Sequence, residues 1–189
     1  MNDALLHIKS KFIELRVATE DDVPLIFELR RSQRGSWLNE TPNDISLQYV
    51  YFANYQKRFK EGSEIYYVIY DRIVNQDVGV FRLTRINEEY GFGWEGLVMG
   101  PSTSPNSPID ICATVYELGF MKLNRQVCGP WTIKRGNRPM LAIHNYMDVA
   151  FEVNADESVL YYAVKRDDYI RRRDWLQRRN YGVIEDDTI

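Results

Sequence analysis

The sequence has few of the residues that build metal centres and disulfide frameworks. Only two cysteines, Cys112 and Cys128, and two histidines, His7 and His144, occur among its 189 residues. No CxxC or HExxH spacing is present, so a zinc or iron site is not expected. Both cysteines have apolar neighbours, which favours buried free thiols over a disulfide.

Long hydrophobic runs are also lacking. No stretch reaches the roughly 18 apolar residues of a transmembrane helix, and the opening MNDALLHIKS has no basic segment followed by an apolar one. We therefore expect a cytoplasmic protein with no membrane partner. The net charge of −3 disfavours nucleic acid as the main partner. With 44% hydrophobic and 27% charged residues, the chain is expected to form a packed core.

Glycine is missing from a loop in which it would be informative. Residues 97–110 read LVMGPSTSPNSPID, so an apolar strand gives way to a polar loop and then to a helix. Helix N-termini bind phosphate through free backbone N–H groups, and glycines help the backbone approach the ligand. Between 102 and 108, hydroxyl and amide side chains stand in their place. Two interpretations remain open: a phosphate cradle built from hydroxyls, and an ordinary Ser/Pro turn with Ser107 as N-cap.

The hydrophobic periodicity predicts an α/β domain. Short connections between three successive strands favour antiparallel pairing, and a parallel neighbour of the strand at 91–99 must follow the next helix. The predicted order is β-α-α-β-β-β-α-β-α-β-β, and the last residues form a short helix or a frayed end. The segments are 12–17, 19–31, 45–59, 64–71, 77–86, 89–99, 108–121, 125–134, 138–149, a pair of strands within 151–172, and the tail at 174–189.

This order resembles the GNAT superfamily of acyl-CoA-dependent N-acetyltransferases. The resemblance covers roughly residues 12 to 170 and rests on LRVATEDDVPLIFELR, ISLQYVYFANYQKRF before EIYYVIYD, GFGWEGLVMGP and HNYMDVAF. The second segment is similar to the branch that contains ribosomal-protein and amino-sugar acetyltransferases. The chain departs from the family pattern in the glycine-free loop at 102–108, in Ala150 where a glycine usually precedes Phe151, and in Asn137, which lies two residues early.

The resemblance implies a mixed, mostly antiparallel central sheet with flanking helices and a splayed strand pair. It implies a single acyl-CoA N-acyltransferase domain over residues 1–189, with 1–10 and 174–189 as terminal extensions. Acetyl-CoA would be the cosubstrate, and a small-molecule primary amine would attack its thioester directly. Homodimers are common in such families, and nothing in these residues decides the oligomeric state.

Two catalytic residues are implied by the family pattern. Tyr146 takes the place of the tyrosine that protonates the departing thiolate, and Glu95 would act as general base, because an alkylammonium must lose a proton before it attacks. The alternatives are a core tyrosine and a solvent-facing or ion-paired carboxylate. His144 lies two residues from Tyr146, roughly 200° around the helix, and is expected to face elsewhere.

The resemblance also assigns residues to each ligand. Backbone groups of the LVM run would contact pantetheine and the polar loop would hold pyrophosphate, which gives a cofactor set of Leu97, Val98, Met99, Ser102, Thr103, Ser104, Asn106, Ser107 and Asn137. An acceptor pocket would combine an aromatic ring, polar groups and a cation. Its proposed members are Trp37, Asn39, Glu40 and Arg82, with Tyr66, Tyr67 or Arg85 on neighbouring strands.

The function implied is acetyl transfer from acetyl-CoA to an amino sugar, possibly nucleotide-linked, in surface-glycan synthesis. Tryptophan stacks on sugar faces, and arginine can hold a diphosphate. Three alternatives stay open: a peptide or protein N-terminal acetyltransferase, a catalytically silent GNAT-like binding domain, and an unrelated α/β binding module whose strands do not splay.

Overall fold

The computed structural model describes residues 5–156 and 158–185. Single-turn 3-10 helices at Glu20–Asp22 and Gly35–Trp37 accompany the main elements. The strands are β1 (His7–Lys9), β2 (Ile13–Val17), β3 (Glu64–Asp71), β4 (Gln76–Thr84), β5 (Gly91–Met99), β6 (Val127–Lys134), β7 (Phe151–Ala155) and β8 (Val159–Lys165). The helices are α1 (Val23–Arg31), α2 (Ile45–Lys60), α3 (Ser107–Tyr116), α4 (Arg138–Met147) and α5 (Arg166–Gln177).

The strands form one mixed, mostly antiparallel sheet in the order β1-β2-β3-β4-β5-β6-β8-β7. The first five strands pair antiparallel with their sequence neighbours. For β3, β4 and β5 this is the pairing that the short connections predict. β6 joins β5 in parallel after α3, and β8 and β7 complete the sheet antiparallel. The predicted fold class is therefore confirmed.

Two hydrophobic cores lie on opposite faces of the sheet, because successive side chains of a strand point to opposite sides. On one face, Ile26 of α1 and Phe52 of α2 pack on Val68 and Val80. On the other face, α3 and α5 cover a larger cluster that includes Tyr67, Phe81, Phe92, Ile111 and Tyr169.

β5 and β6 separate after two pairs of residues. Gly91 pairs with Val127 and Phe92 with Cys128, and the paired register of the two strands ends there. We call this point the fork. The guanidinium of Arg85 spans it, since Nη2 donates to the carbonyl of Phe92 at 2.9 Å and to that of Gly129 at 2.8 Å. The predicted splayed strand pair is present.

A glycine in the helix that packs against the fork allows a close approach to β5. α3 continues into a π-helical turn, Glu117–Lys122, in which Gly119 faces the ring of Phe92. A β-carbon at this glycine would lie 2.0 Å from the Phe92 ring. The close approach lets the last paired residue of β5 pack directly against the helix.

Three elements differ from the sequence prediction. β1 was not predicted, because three residues are too short for a readable period. The helix predicted over 108–121 changes to the π-helical turn after Tyr116. The strand predicted to run through 172 was wrong: it ends at Lys165, and α5 begins at Arg166. Only Tyr169 and Leu176 of α5 are buried, so its apolar stripe is too sparse to recognise.

Candidate active site

A cleft of about 430 Å³ opens between β5 and β6 beyond the fork. The loop between α1 and α2 forms one side, β4 and β5 the base, and β6 with the start of α4 the other side. Six of the lining residues carry most of its chemistry: Trp37, Asn39, Arg82, Glu95, Trp131 and Lys134. Polar side chains from both halves of the sheet therefore line the cleft.

The loop from α1 to α2 is fastened across the cleft. Lys134 Nζ donates to the carbonyls of Ser36 at 3.0 Å and Leu38 at 2.9 Å. The ring of Trp37 lies over Gly136, where a β-carbon would come within 3.1 Å of the indole. These contacts place an aromatic ring, 36% exposed, at the mouth of the cleft.

A network of alternating charges forms the base. Arg82 donates to Glu95 at 2.7 Å and to Glu64 at 3.2 Å, and Arg58 holds Glu64 at 2.6 Å. Burial by itself would lower the pKa of Arg82, but Tyr51 and the two carboxylates raise it, and the net shift is upward. The guanidinium therefore stays charged and holds Glu95, whose side chain is 55% exposed, towards the cleft.

Positive charge is in excess. Among the described residues, Arg30, Arg82, Arg85 and Lys134 line the cleft, and Glu95 is the one carboxylate that lines it with them. Glu64 and Glu88, outside the lining, pair with Arg82 and Arg85. Arg30 donates to Thr41 Oγ1 at 3.0 Å and forms no ion pair within the part of the chain that the structure describes. The arrangement suits a ligand with an anionic group and disfavours a polycation.

The glycine-free loop is partly closed by its own contacts. Asp71 Oδ2 accepts the N–H of Ser104 and the hydroxyl of Ser107, each at 2.8 Å. Burial would raise the pKa of Asp71, but these hydrogen bonds lower it, and the net shift is downward. A carboxylate therefore occupies the position at which two of the predicted phosphate donors converge. Asn106, rather than Ser107, is the N-cap residue of α3.

Tyr146 is not one of the residues that line the cleft. It is 39% exposed, and its ring contacts Trp175 at 5.2 Å and Tyr181 at 6.3 Å between centroids. The acid role predicts that Tyr146→Phe slows turnover with little change in the affinity for CoA. Stopped-flow thiol release would measure this, with the exposed Tyr90→Phe as control, and an unchanged rate would remove Tyr146 from the mechanism.

His144 faces away from Tyr146, as predicted, and is buried in a stack of rings. Its ring lies 5.4 Å from Trp131, which lines the cleft, and 5.7 Å from Tyr162, centroid to centroid. Neither ring nitrogen has a hydrogen-bond partner in the structure. Burial lowers the pKa of His144 from 6.5 to about 4.

A pH dependence of stability follows from this burial. Between pH 6.5 and 4 the unfolded chain binds a proton at His144 that the folded chain does not, so stability falls as the pH decreases. We expect the loss to approach about 1.4 kcal/mol per pH unit. The free energy of unfolding, measured in urea at pH 7 and at pH 5, should differ less between the two pH values for His144→Phe than for the wild type. Tyr162→Phe, which alters the same stack, should keep the wild-type difference, and equal profiles for all three proteins would contradict the assignment.

The structure brings together seven of the predicted site residues: Trp37, Asn39, Arg82, Arg85, Glu95, Leu97 and Asn137. The other predicted residues, Glu40, Val98, Met99, Ser102, Thr103, Ser104, Asn106, Ser107 and Tyr146, lie outside the cleft lining. Tyr66 and Tyr67 are core residues with 1% and 0% exposure. Sequence reasoning missed Arg30, Glu64, Trp131 and Lys134. None stands in a motif, and only the exposed-strand pattern of β6 could have indicated the lysine.

The described residues contain neither a metal-binding group nor a membrane-spanning helix. Among the described residues, no group of three His, Cys, Asp or Glu side chains is arranged to hold a metal ion. The helices within those same ranges are too short or too polar to span a bilayer.

Comparison with known proteins identifies the fold. No protein-family model matches the chain, and neither does any curated protein sequence. Among solved structures, apo FdhC, described as a nucleotide-linked sugar GNAT, has a TM-score of 0.76 and 21% identity, and the match covers 93% of this chain and 97% of that one. A GCN5-related N-acetyltransferase from Brucella melitensis has a TM-score of 0.70 and 14% identity, over 91% and 84% of the two chains.

A third structure is bound to ligands. The spermidine N-acetyltransferase from Vibrio cholerae, in complex with CoA and spermine, has a TM-score of 0.66 and 15% identity, over 84% of this chain and 98% of that one. At these identities the comparisons establish architecture. The splayed strands, the sheet order and these structural matches together show that the chain has the fold of the GNAT acetyltransferases.

Proposed function

We propose that the protein is a single-domain N-acetyltransferase that moves an acetyl group from acetyl-CoA to the primary amine of an anionic acceptor. The observation that carries the proposal is the cleft at the fork, which is lined by Glu95 and four cationic side chains. A nucleotide-linked amino sugar fits best, since arginines recognise phosphates and Trp37 can stack on a sugar or base.

The acceptor's charge separates this proposal from polyamine acetylation. A polyamine carries several positive charges, and the cleft has one carboxylate to receive them. Arg30 is the proposed contact of the ligand anion, because within the described part of the chain it forms no ion pair and donates to the hydroxyl of Thr41 and the carbonyl of Asn39. FdhC is described as a nucleotide-linked sugar GNAT, which supports the same choice.

The proposed reaction removes two protons from the acceptor's nitrogen and supplies one to sulfur. Glu95 accepts the first proton from the acceptor's ammonium, directly or through water, and the free amine attacks the thioester carbonyl. The C–N bond forms, the nitrogen releases its second proton to water, and the C–S bond breaks as the thiolate of CoA leaves. Tyr146 is the proposed donor to that thiolate, and backbone groups of Leu97, Val98 and Met99 are the proposed contacts of pantetheine.

A turnover screen tests the proposal. Purified protein with acetyl-CoA would be offered nucleotide-linked amino sugars, free amino sugars, spermidine and a peptide with a free N-terminus, with thiol release as readout. We expect the highest kcat/KM with a nucleotide-linked amino sugar. Turnover of the peptide alone would favour the N-terminal acetyltransferase, and preference for spermidine would contradict the role of the cations.

A second candidate, a GNAT-like domain that has lost catalysis, is favoured by one observation. Asp71 occupies the polar loop and opposes a phosphate there. Calorimetric titration with acetyl-CoA distinguishes the candidates. Heat of binding together with turnover supports the enzyme, whereas no heat and no shift in melting temperature would support the silent domain.

A further inference from the structure

A basic and aromatic surface lies at the C-terminal end of α5, outside the cleft. It consists of Arg172, Trp175, Arg178 and Arg179, and we call it the α5 patch. The guanidinium carbons of Arg172 and Arg179 each lie 3.8 Å from the centroid of the Trp175 ring. Cation–π contacts of this kind fix two long side chains that would otherwise sample many rotamers.

The charges of the α5 patch are not neutralised by carboxylates. Two other arginines of α5 have acidic partners: Arg171 pairs with Asp168, and Arg173 with Glu117 at 2.6 Å. Across residues 5–156 and 158–185, Arg172, Arg178 and Arg179 form no ion pair. Arg172 donates instead to the carbonyl of Met147 at 3.0 Å, and Arg179 to that of Trp175 at 3.1 Å. Both retain N–H donors for a ligand.

The α5 patch adjoins the start of α3. Two residues after Arg179, the hydroxyl of Tyr181 donates to Asn106 Oδ1 at 2.8 Å, and Gly182 N donates to Asp110 Oδ1 at 2.8 Å. The chain that leaves α5 is thereby tied to the first turn of α3. The α5 patch is thus joined, through Tyr181 and Asn106, to the polar loop before α3.

The polar loop before α3 needs added positive charge if it is to bind a phosphate. Ser104 N and Ser107 Oγ are already engaged by Asp71, and Thr103 Oγ1 donates to the carbonyl of Gly100 at 2.7 Å. Prolines at 105 and 108 remove two more backbone donors. The loop therefore cannot supply the donor set of a glycine-rich cradle, and the guanidinium groups of the α5 patch can.

We propose that the α5 patch binds the phosphate groups in the nucleotide half of CoA, in place of the donors that the loop before α3 lacks. The proposal rests on the proposed acetyl-CoA-dependent function. It assigns the arginines of α5 to the cofactor and those of the cleft to the acceptor, so the two sets should respond to different ligands.

Calorimetry with the full chain tests the assignment. We expect Arg179→Gln to weaken acetyl-CoA binding about tenfold, since one charge-assisted hydrogen bond is lost. Arg178→Gln combined with Arg179→Gln should weaken it further. Arg171→Gln, which removes another exposed arginine that already has a carboxylate partner, is the matched control and should bind as the wild type does. Equal affinity in all of these proteins would overturn the proposal.

Titration with different ligands shows which phosphate group the α5 patch binds. It also distinguishes failure of this proposal from failure of the proposed acetyl-CoA-dependent function. If the variants lose affinity for acetyl-CoA and not for its 3′-dephospho form, the patch holds the 3′-phosphate; equal losses for both place the pyrophosphate there. Acetyl-pantetheine, which has neither group, should bind wild type and variants alike. If the wild type binds acetyl-CoA and the substituted proteins bind it equally well, the α5 patch does not hold the phosphates, but the acetyl-CoA-dependent function stands. If the wild type does not bind acetyl-CoA, both proposals are overturned.

Discussion

Replacing Glu95 by Gln is expected to lower kcat about 100-fold or more, the range in which general base catalysis contributes. In the wild type, Arg82 donates a hydrogen bond to the Glu95 carboxylate at 2.7 Å. Glutamine keeps the shape of the side chain, and its carbonyl can still accept this hydrogen bond. The fold and the affinity for acetyl-CoA should therefore change little. The loss should appear in kcat at saturating concentrations of both substrates, because the acceptor's ammonium no longer has a base.

Glu88→Gln is the matched control for this substitution. Glu88 is an exposed carboxylate of the same hairpin and lies 3.8 Å from Arg85, but it does not line the cleft. Its removal should leave kcat within about twofold of the wild type, as expected for a surface change. A rate for Glu95→Gln above half that of the wild type would show that another group, or solvent, takes the proton.

Replacing Gly119 by Ala is expected to have the largest effect on stability, about 3 kcal/mol or more. The added β-carbon would lie 2.0 Å from the ring of Phe92, a distance that no side-chain rotation within a packed core can relieve cheaply. Either Phe92 or the π-helical turn must move. Because Phe92 is the last residue of β5 that pairs with β6, the shift should also distort the fork.

Urea unfolding followed by circular dichroism would measure the loss in the free energy of unfolding. Gly100→Ala is the control, since a β-carbon there would meet its nearest atoms at 3.4 Å and 3.5 Å, ordinary contact distances. We expect that variant to lose under about 1 kcal/mol. Similar midpoints for the two variants would contradict the close packing of the turn against the fork.

Much of the fold could be predicted from the sequence, because its strands and helices have clear periods. The antiparallel run from β3 to β5 follows from short connections between successive strand segments. α5 could not be recognised, because it buries two residues and presents charged side chains over most of its surface. β1 was missed for its length, since three residues gain a strand conformation only by pairing with β2.

The candidate site was predictable only where its residues lie in one segment or on two strands joined by a short connection. Trp37 and Asn39 stand together in a polar loop, and Arg82 and Glu95 face each other on paired strands, so local patterns could indicate them. Arg30 and Lys134 reach the cleft from a helix and a distant strand, and no sequence spacing relates them. Likewise, the engagement of the polar loop by Asp71 depends on a contact over 33 residues.

The central claim is that the cleft accepts an amine attached to an anionic group, and one measurement tests it most directly. kcat/KM would be determined for a nucleotide-linked amino sugar and for the same amino sugar without the nucleotide, with wild-type protein and Arg30→Gln. The account predicts that the wild type prefers the nucleotide-linked acceptor and that Arg30→Gln reduces this preference about tenfold, through KM for the acceptor. Equal kcat/KM for the two acceptors in the wild type, or an unchanged preference in Arg30→Gln, would contradict it.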